Sequence, residues 1–165
     1  MRKSRPRITS FNPTLIVHGG AGYVPSKEVA VKLAGLKKAL RGSYQLLLEP
    51  KNNAALNAVE SAVRALELDE NFNAGYGSSL NTNRNVELEA SIMDGRSLGA
   101  GCVSLLQDIE HPISVARKIM EKTPHTFLMG KGAEKFAITH GFKKVPAGSL
   151  VTKAAEAALD RYLSK

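Results

Sequence analysis

The sequence has a single cysteine, Cys102, and no tryptophan among 165 residues. A lone thiol excludes an internal disulfide framework, so the chain must be held by its core, and a reducing compartment is permitted. Four histidines, His18, His111, His125 and His140, are too widely spaced for a local metal motif. With no second cysteine to help them, they give zinc chemistry no support. No run approaches the ~18 apolar residues that a membrane span needs. Thr14–Val17 is far too short for a signal-peptide core, and no small-residue cleavage site follows it convincingly. There is no G-x-S-x-G elbow and no G-x-x-x-x-G-K-[ST] loop, which removes the lipase-type and P-loop readings of the glycines.

What is present suits one globular domain, with 43% hydrophobic and 23% charged residues. The net charge is +8, and Arg2, Lys3, Arg5 and Arg7 supply half of it. Residues 1–13 therefore read as a basic, disordered arm, and residues 14–165 as the domain. Such an arm could touch nucleic acid, a membrane surface or an import receptor. A solvated extension is favoured, because no aromatic is interleaved with the charges and the Ser-rich amphipathic length of a transit peptide is missing. Neither a membrane nor a nucleic acid is expected as partner, and the cytosol is the expected compartment.

Thr14-Leu15-Ile16-Val17-His18 is a β-branched apolar run ending in Gly19-Gly20-Ala21-Gly22. It predicts a buried strand entering a glycine-permitted loop. Ser26 is a candidate N-cap for a helix to Leu48 with Val29, Leu33, Leu36, Leu40 and Tyr44 on one stripe. Pro50-Lys51-Asn52-Asn53 breaks that helix. Ala55, Val59, Ala62, Val63 and Leu66 predict the inner stripe of a second, with Glu60, Arg64 and Glu67 off it. The pair would form an αα-hairpin on one face of a sheet. Strands are expected over residues 85–93 and 100–106, joined by a turn at Asp94-Gly95-Arg96, and again over 126–129. Helices are expected from Pro112 to Lys122, Gly132 to Thr139 and Val151 to Leu163, the last with Ala155, Ala158, Leu159 and Tyr162 inward. Helices and strands in separate blocks favour α+β layering.

Three stretches could carry chemistry. His18-Gly19-Gly20-Ala21-Gly22 could turn backbone N–H groups toward an anion, although a tight turn is the commoner use of such glycines. The run 71–81 is dominated by Asn, Gly and Ser and offers many backbone oxygens of the kind hard cations favour; a structural loop packed by Phe72 and Tyr76 explains it equally. Glu87 and Glu89 share one strand face near Asp94, as readily solvated as functional. Gly130-Lys131-Gly132 lacks the flanking pattern of a phosphate loop.

The order of four blocks is more telling than any one motif. LIVHGGAG, AVRALELDENFNAGYGSSLN, VELEASIMDGRSLGAGCVSLL and HPISVARKIMEKTPHTFLMGKGAEKFA together resemble the α portion of plant-type L-asparaginase/isoaspartyl peptidases, from about Leu15 to Thr152. The resemblance implies the N-terminal portion of an αββα N-terminal-nucleophile hydrolase sandwich. In that family a precursor cuts itself, exposing a threonine whose amine serves as base to its own hydroxyl. The implied substrates are L-asparagine and β-aspartyl dipeptides, met only in the assembled enzyme. By the same resemblance, His18, Gly19 and Gly20 form a loop beside the nucleophile, and Asn73 helps position it or a water. The main-chain carbonyls of Leu66, Glu67, Asp69, Phe72, Ala74 and Tyr76 match a loop that holds a structural sodium ion; no other cofactor is implied.

The family nucleophile opens a segment like TVGAV, which does not occur in this sequence. The resemblance implies that the nucleophile, oxyanion donors and substrate clamp belong to a β portion, whether of the same family or of a full-length relative. The alternative is a truncated, non-catalytic paralogue acting as a binding or regulatory partner. Arg84-Asn85 stands where the family has a glycine turn, with Asn85 the residue expected to tolerate the left-handed conformation. Asn57 replaces a common acidic residue, and Asn52-Asn53 replace small glycine-rich ones.

Overall fold

A computed structural model describes residues 12–49 and 52–165. The four charges of the basic arm, and Pro50-Lys51, lie outside the described residues. The elements are α1 (Ser26–Leu48), α2 (Ala54–Glu67), β1 (Leu88–Met93), β2 (Ala100–Leu106), α3 (Pro112–Lys122), β3 (Phe127–Met129), α4 (Gly130–Thr139) and α5 (Lys153–Leu163). The content is α+β, as the blocks predict. No helix among the described residues is long and apolar enough to cross a membrane.

The sheet is three-stranded in the order β1-β2-β3. β1 and β2 run antiparallel, with Met93 opposite Ala100 and Leu88 opposite Leu106, and an irregularity between Leu88 and Ala90. Their connection folds on Asp94, whose carboxylate accepts from the Arg96 and Ser97 amides and from the Ser97 hydroxyl at 2.7 Å. β2 and β3 run parallel, pairing Cys102 with Phe127 and Ser104 with Met129. The crossover between them is α3, so one βαβ unit sits inside the otherwise block-wise order.

α3 lies close on the inner sheet face because residue 101 has no side chain. A β-carbon there would stand 2.0 Å from the Ala116 carbonyl oxygen and 2.7 Å from the Met120 nitrogen. Around that approach Leu88, Ile92, Val103, Leu106, Ile113, Val115, Ala116 and Ile119 are buried, with Ala133 and Ala137 of α4 closing one side. Pro112 occupies the first turn of α3, where its missing N–H costs nothing.

Several expectations change. Residues 14–18 form no strand: among the described residues no ladder pairs them, and Ile16 is 84% exposed. Apolar β-branched residues favour extension, but a strand exists only where a neighbour completes its hydrogen bonds. The αα-hairpin forms, yet it packs through α2 on α3 rather than on the sheet, whose inner face α3 already covers. The inner face of α2 is Leu56, Ala58, Ala62, Leu66 and Glu67, rotated from the predicted stripe, since α2 has neighbours on two sides; Val59 is exposed. Ser26 is the first residue of α1 and not its cap; Pro25 precedes it and its carbonyl accepts the Glu28 amide at 2.8 Å. On α1 the stripe at Val29 and Leu33 is uncovered, and only Ala39 and Ser43 are buried. In α5, Ala155 and Leu159 face inward as predicted, but Ala158 and Tyr162 are exposed; Thr152 caps it through the Ala155 amide. Finally, the left-handed residue of the 81–86 turn is Arg84 at φ 62°, not Asn85.

Candidate functional site

α2 ends at Glu67, and the chain then winds back over that end. The Asp69 amide donates to the Leu66 carbonyl at 3.2 Å, the Phe72 amide to Asp69 at 3.0 Å and the Ala74 amide to Phe72 at 2.9 Å. Gly75, at φ 137°, crosses the end of the helix, where a β-carbon would stand 2.4 Å from the Glu67 carbonyl oxygen. The Tyr76 amide then donates to that same carbonyl at 2.8 Å. Side chains lock the winding from within: Ser78 Oγ accepts from the Gly75 amide at 2.8 Å, and Asn73 Oδ1 from the Ser79 amide at 2.8 Å. Thus the six carbonyl-bearing residues Leu66, Glu67, Asp69, Phe72, Ala74 and Tyr76 belong to one tight turn of backbone.

Phe72 joins this loop to the glycine tract. Its buried ring lies under α1 at Gly35, where a β-carbon would approach the ring to 2.7 Å. A β-carbon at Gly19 would meet the same ring at 3.0 Å. Lys32 of α1 stands 5.4 Å from the ring centroid and donates to the Asn71 carbonyl. The tract itself is turned by a hydrogen bond from the Gly20 amide to His18 Nδ1 at 3.2 Å, with Gly20 at φ 108°. A cleft of about 300 Å³ lies between the tract, Lys32 and Phe72. The structure therefore packs the His18–Gly20 tract against Phe72, the residue that precedes Asn73 in the loop. His18 and Asn73 are both exposed, and among the described residues no hydrogen bond joins them.

The donor set of the winding is neutral carbonyl oxygen, which suits a hard cation of low charge. The carbonyls of Leu66, Glu67, Asp69 and Phe72 each accept an amide and keep a second lone pair, so the internal hydrogen bonds leave acceptor capacity. Among the described residues no group of three or more His, Cys, Asp or Glu could hold a metal ion. Glu87 and Glu89 face outward from the sheet, taking contacts from Gln107 at 3.4 Å and Ser104 at 2.5 Å.

The Glu67 side chain was missed by periodicity, which placed it off the apolar stripe. It is 2% exposed. Its Oε1 accepts the Ile113 amide at 2.9 Å and its Oε2 is 3.0 Å from His111 Nδ1. Burial raises this carboxyl above the ordinary carboxylate range, opposed by the hydrogen bonds from His111 and Ile113. A signal for it existed: α3 opens after His111, with no Ser, Thr, Asn or Asp to cap its first amides, so an acceptor had to come from elsewhere. Beside it Glu60 accepts from Ser114 Oγ at 2.5 Å and pairs with Arg117 at 2.6 Å, a second tie between α2 and α3.

Residues 11–165 match the family model described as asparaginase. A Drosophila melanogaster protein named as a probable isoaspartyl peptidase/L-asparaginase is 53% identical over 154 residues, covering 91% of this chain and 46% of its own length. The isoaspartyl peptidase/L-asparaginase of Homo sapiens is 46% identical over 152 residues, covering 92% and 49%. That of Mus musculus is 44% identical over 148 residues, covering 89% and 45%. The chain spans about half the length of the curated relatives it matches.

Proposed function

The chain belongs to the asparaginase family, and from that premise we propose that it is the α portion of an L-asparaginase/isoaspartyl peptidase. The nucleophilic threonine then comes from a β portion outside this sequence, as do the oxyanion donors and the substrate clamp. Hydrolysis of L-asparagine would release ammonia and aspartate, and that of a β-aspartyl dipeptide an amino acid and aspartate. The observation that carries the reading is the convergence of the His18–Gly20 tract and the Asn73-bearing loop on Phe72.

The roles of this chain's residues follow from what each can offer. In the tract, glycine backbone can approach a reacting group closely. Asn73 has an exposed amide next to the ring that joins the loops, and it would hold the nucleophile or a water by hydrogen bonding. The carbonyls of Leu66, Glu67, Asp69, Phe72, Ala74 and Tyr76 would hold a sodium ion, which supplies local positive charge and rigidity to the winding. The cytosol is the compartment proposed, consistent with a single free thiol.

The test is ammonia release from L-asparagine, and amino-acid release from a β-aspartyl dipeptide, with and without a co-expressed β portion. Turnover is expected only when the β portion is present. Turnover by this chain alone would overturn the reading.

A further inference from the structure

We infer that Glu67 is a positioning residue for the Asn73 loop, binding the end of α2 to the start of α3 with its carboxylate while its own carbonyl receives the returning chain. The loop leaves the helix at Glu67 and comes back to it at Tyr76, whose amide donates to the Glu67 carbonyl at 2.8 Å. Gly75 lies against that carbonyl with no room for a side chain. Both ends of the loop therefore rest on one residue. That residue is itself fixed by the Ile113 amide at 2.9 Å and by His111 at 3.0 Å, both from the start of α3. α3 is in turn the helix seated on Gly101 at the centre of the core. A rigid line thus runs from the sheet through α3 and Glu67 to the loop that presents Asn73.

The geometry asks for side-chain length more than for charge. Aspartate is shorter by one methylene, about 1.5 Å of reach, and would miss both contacts. Glutamine keeps the reach: its oxygen can accept the Ile113 amide, and its NH₂ can donate to His111 Nδ1 with the imidazole proton on Nε2, toward Glu110. Glu110 lies 3.5 Å from that nitrogen. Alanine would leave a buried helix amide and the Nδ1 of His111 without their acceptor and threatens folding, so the aspartate and glutamine variants decide the matter.

The catalytic side of this role rests on the function proposed above, whereas the loop geometry does not. Amide exchange is therefore read on the chain itself, and kinetics on its assembly with a β portion. Glu67→Asp is expected to speed exchange at the Tyr76 and Ser79 amides by about tenfold or more while leaving Val103 and Ile119 unchanged, and Glu67→Gln to restore them. Equal changes at all four amides, or none in the loop, would overturn the inference. In the assembled enzyme Glu67→Asp lowers kcat for L-asparagine about tenfold at constant KM, with recovery in Glu67→Gln. A raised KM with kcat intact contradicts the role.

Discussion

The two apolar clusters of this molecule differ in completeness. One, built by β1, β2, α3 and α4 with Leu56 of α2 and the connecting residues Val86, Ile109 and Leu150, buries fourteen of the described residues around Gly101 and Ile119. The other, where α1 and α2 meet the loop at Phe72, buries among the described residues only Ala39, Leu66 and Phe72. Beside it Val29 and Leu33 of α1 are half exposed, as are Met93, Phe127 and Met129 on the outer sheet face, and Ile16 and Tyr23 are almost fully exposed. A surface apolar residue alone means little, but a lined-up set on one helix and one sheet face marks area meant to be covered. The first cluster is finished by local sequence. The second cluster and the outer sheet face await cover, which on the reading proposed above the β portion provides.

The largest expected effect falls at the finished cluster. Gly101→Ala drives a β-carbon into the backbone of α3 at Ala116, where no side chain can yield, and should cost more than about 4 kcal/mol. Loss of a cooperative thermal transition would be the sign. Next, Ile119→Ala removes a fully buried side chain and should cost about 3–4 kcal/mol. Leu33→Ala, at a side chain 48% exposed, should cost less than about 1 kcal/mol. Denaturant midpoints for these two variants test the comparison directly, and equal losses would break it. At Gly42 of α1 an added β-carbon would meet nothing within 4 Å, so Gly42→Ala should stabilise by about 0.5–1 kcal/mol through helix propensity alone.

The smallest effect belongs to pH. Hydrogen bonds from the Ser97 hydroxyl and then the Arg96 amide hold the Asp94 carboxyl below its ordinary value of 3.8. A lowered folded value means that its stabilisation is present above pH 3.8 and lost as pH falls through the folded value. Asp94→Asn should therefore be less stable than the parent at neutral pH and converge with it in acid. Unfolding curves at pH 7 and below pH 3 would show that convergence.

The sequence was most legible where one element answers to one local rule. α3 runs from Pro112 to Lys122 as its proline and periodicity predict, and β2 covers 100–106 as its small apolar run predicts. It was least legible where several elements compete for one surface. Glu67 fell off the predicted apolar stripe because helical periodicity cannot report that a neighbouring helix lacks a cap. Residues 14–18 have the composition of a strand, but composition does not supply the neighbour that makes one. Arg84 takes the left-handed turn because the turn fixes the position first; the asparagine one residue later cannot relieve it, and an L-residue there costs about 1–2 kcal/mol. In the candidate site, the glycine tract and the Asn73 loop were both visible as glycine-rich segments. Their meeting through Phe72 was not, since a long-range contact leaves no local pattern.

Hydrogen exchange of α1 tests the unequal completion of the two clusters most directly. In the chain alone, amides of residues 26–36 should exchange much faster than those of α3. With a co-expressed β portion they should gain protection, together with residues 14–18, while α3 changes little. Equal protection of α1 and α3 in the chain alone would contradict the account.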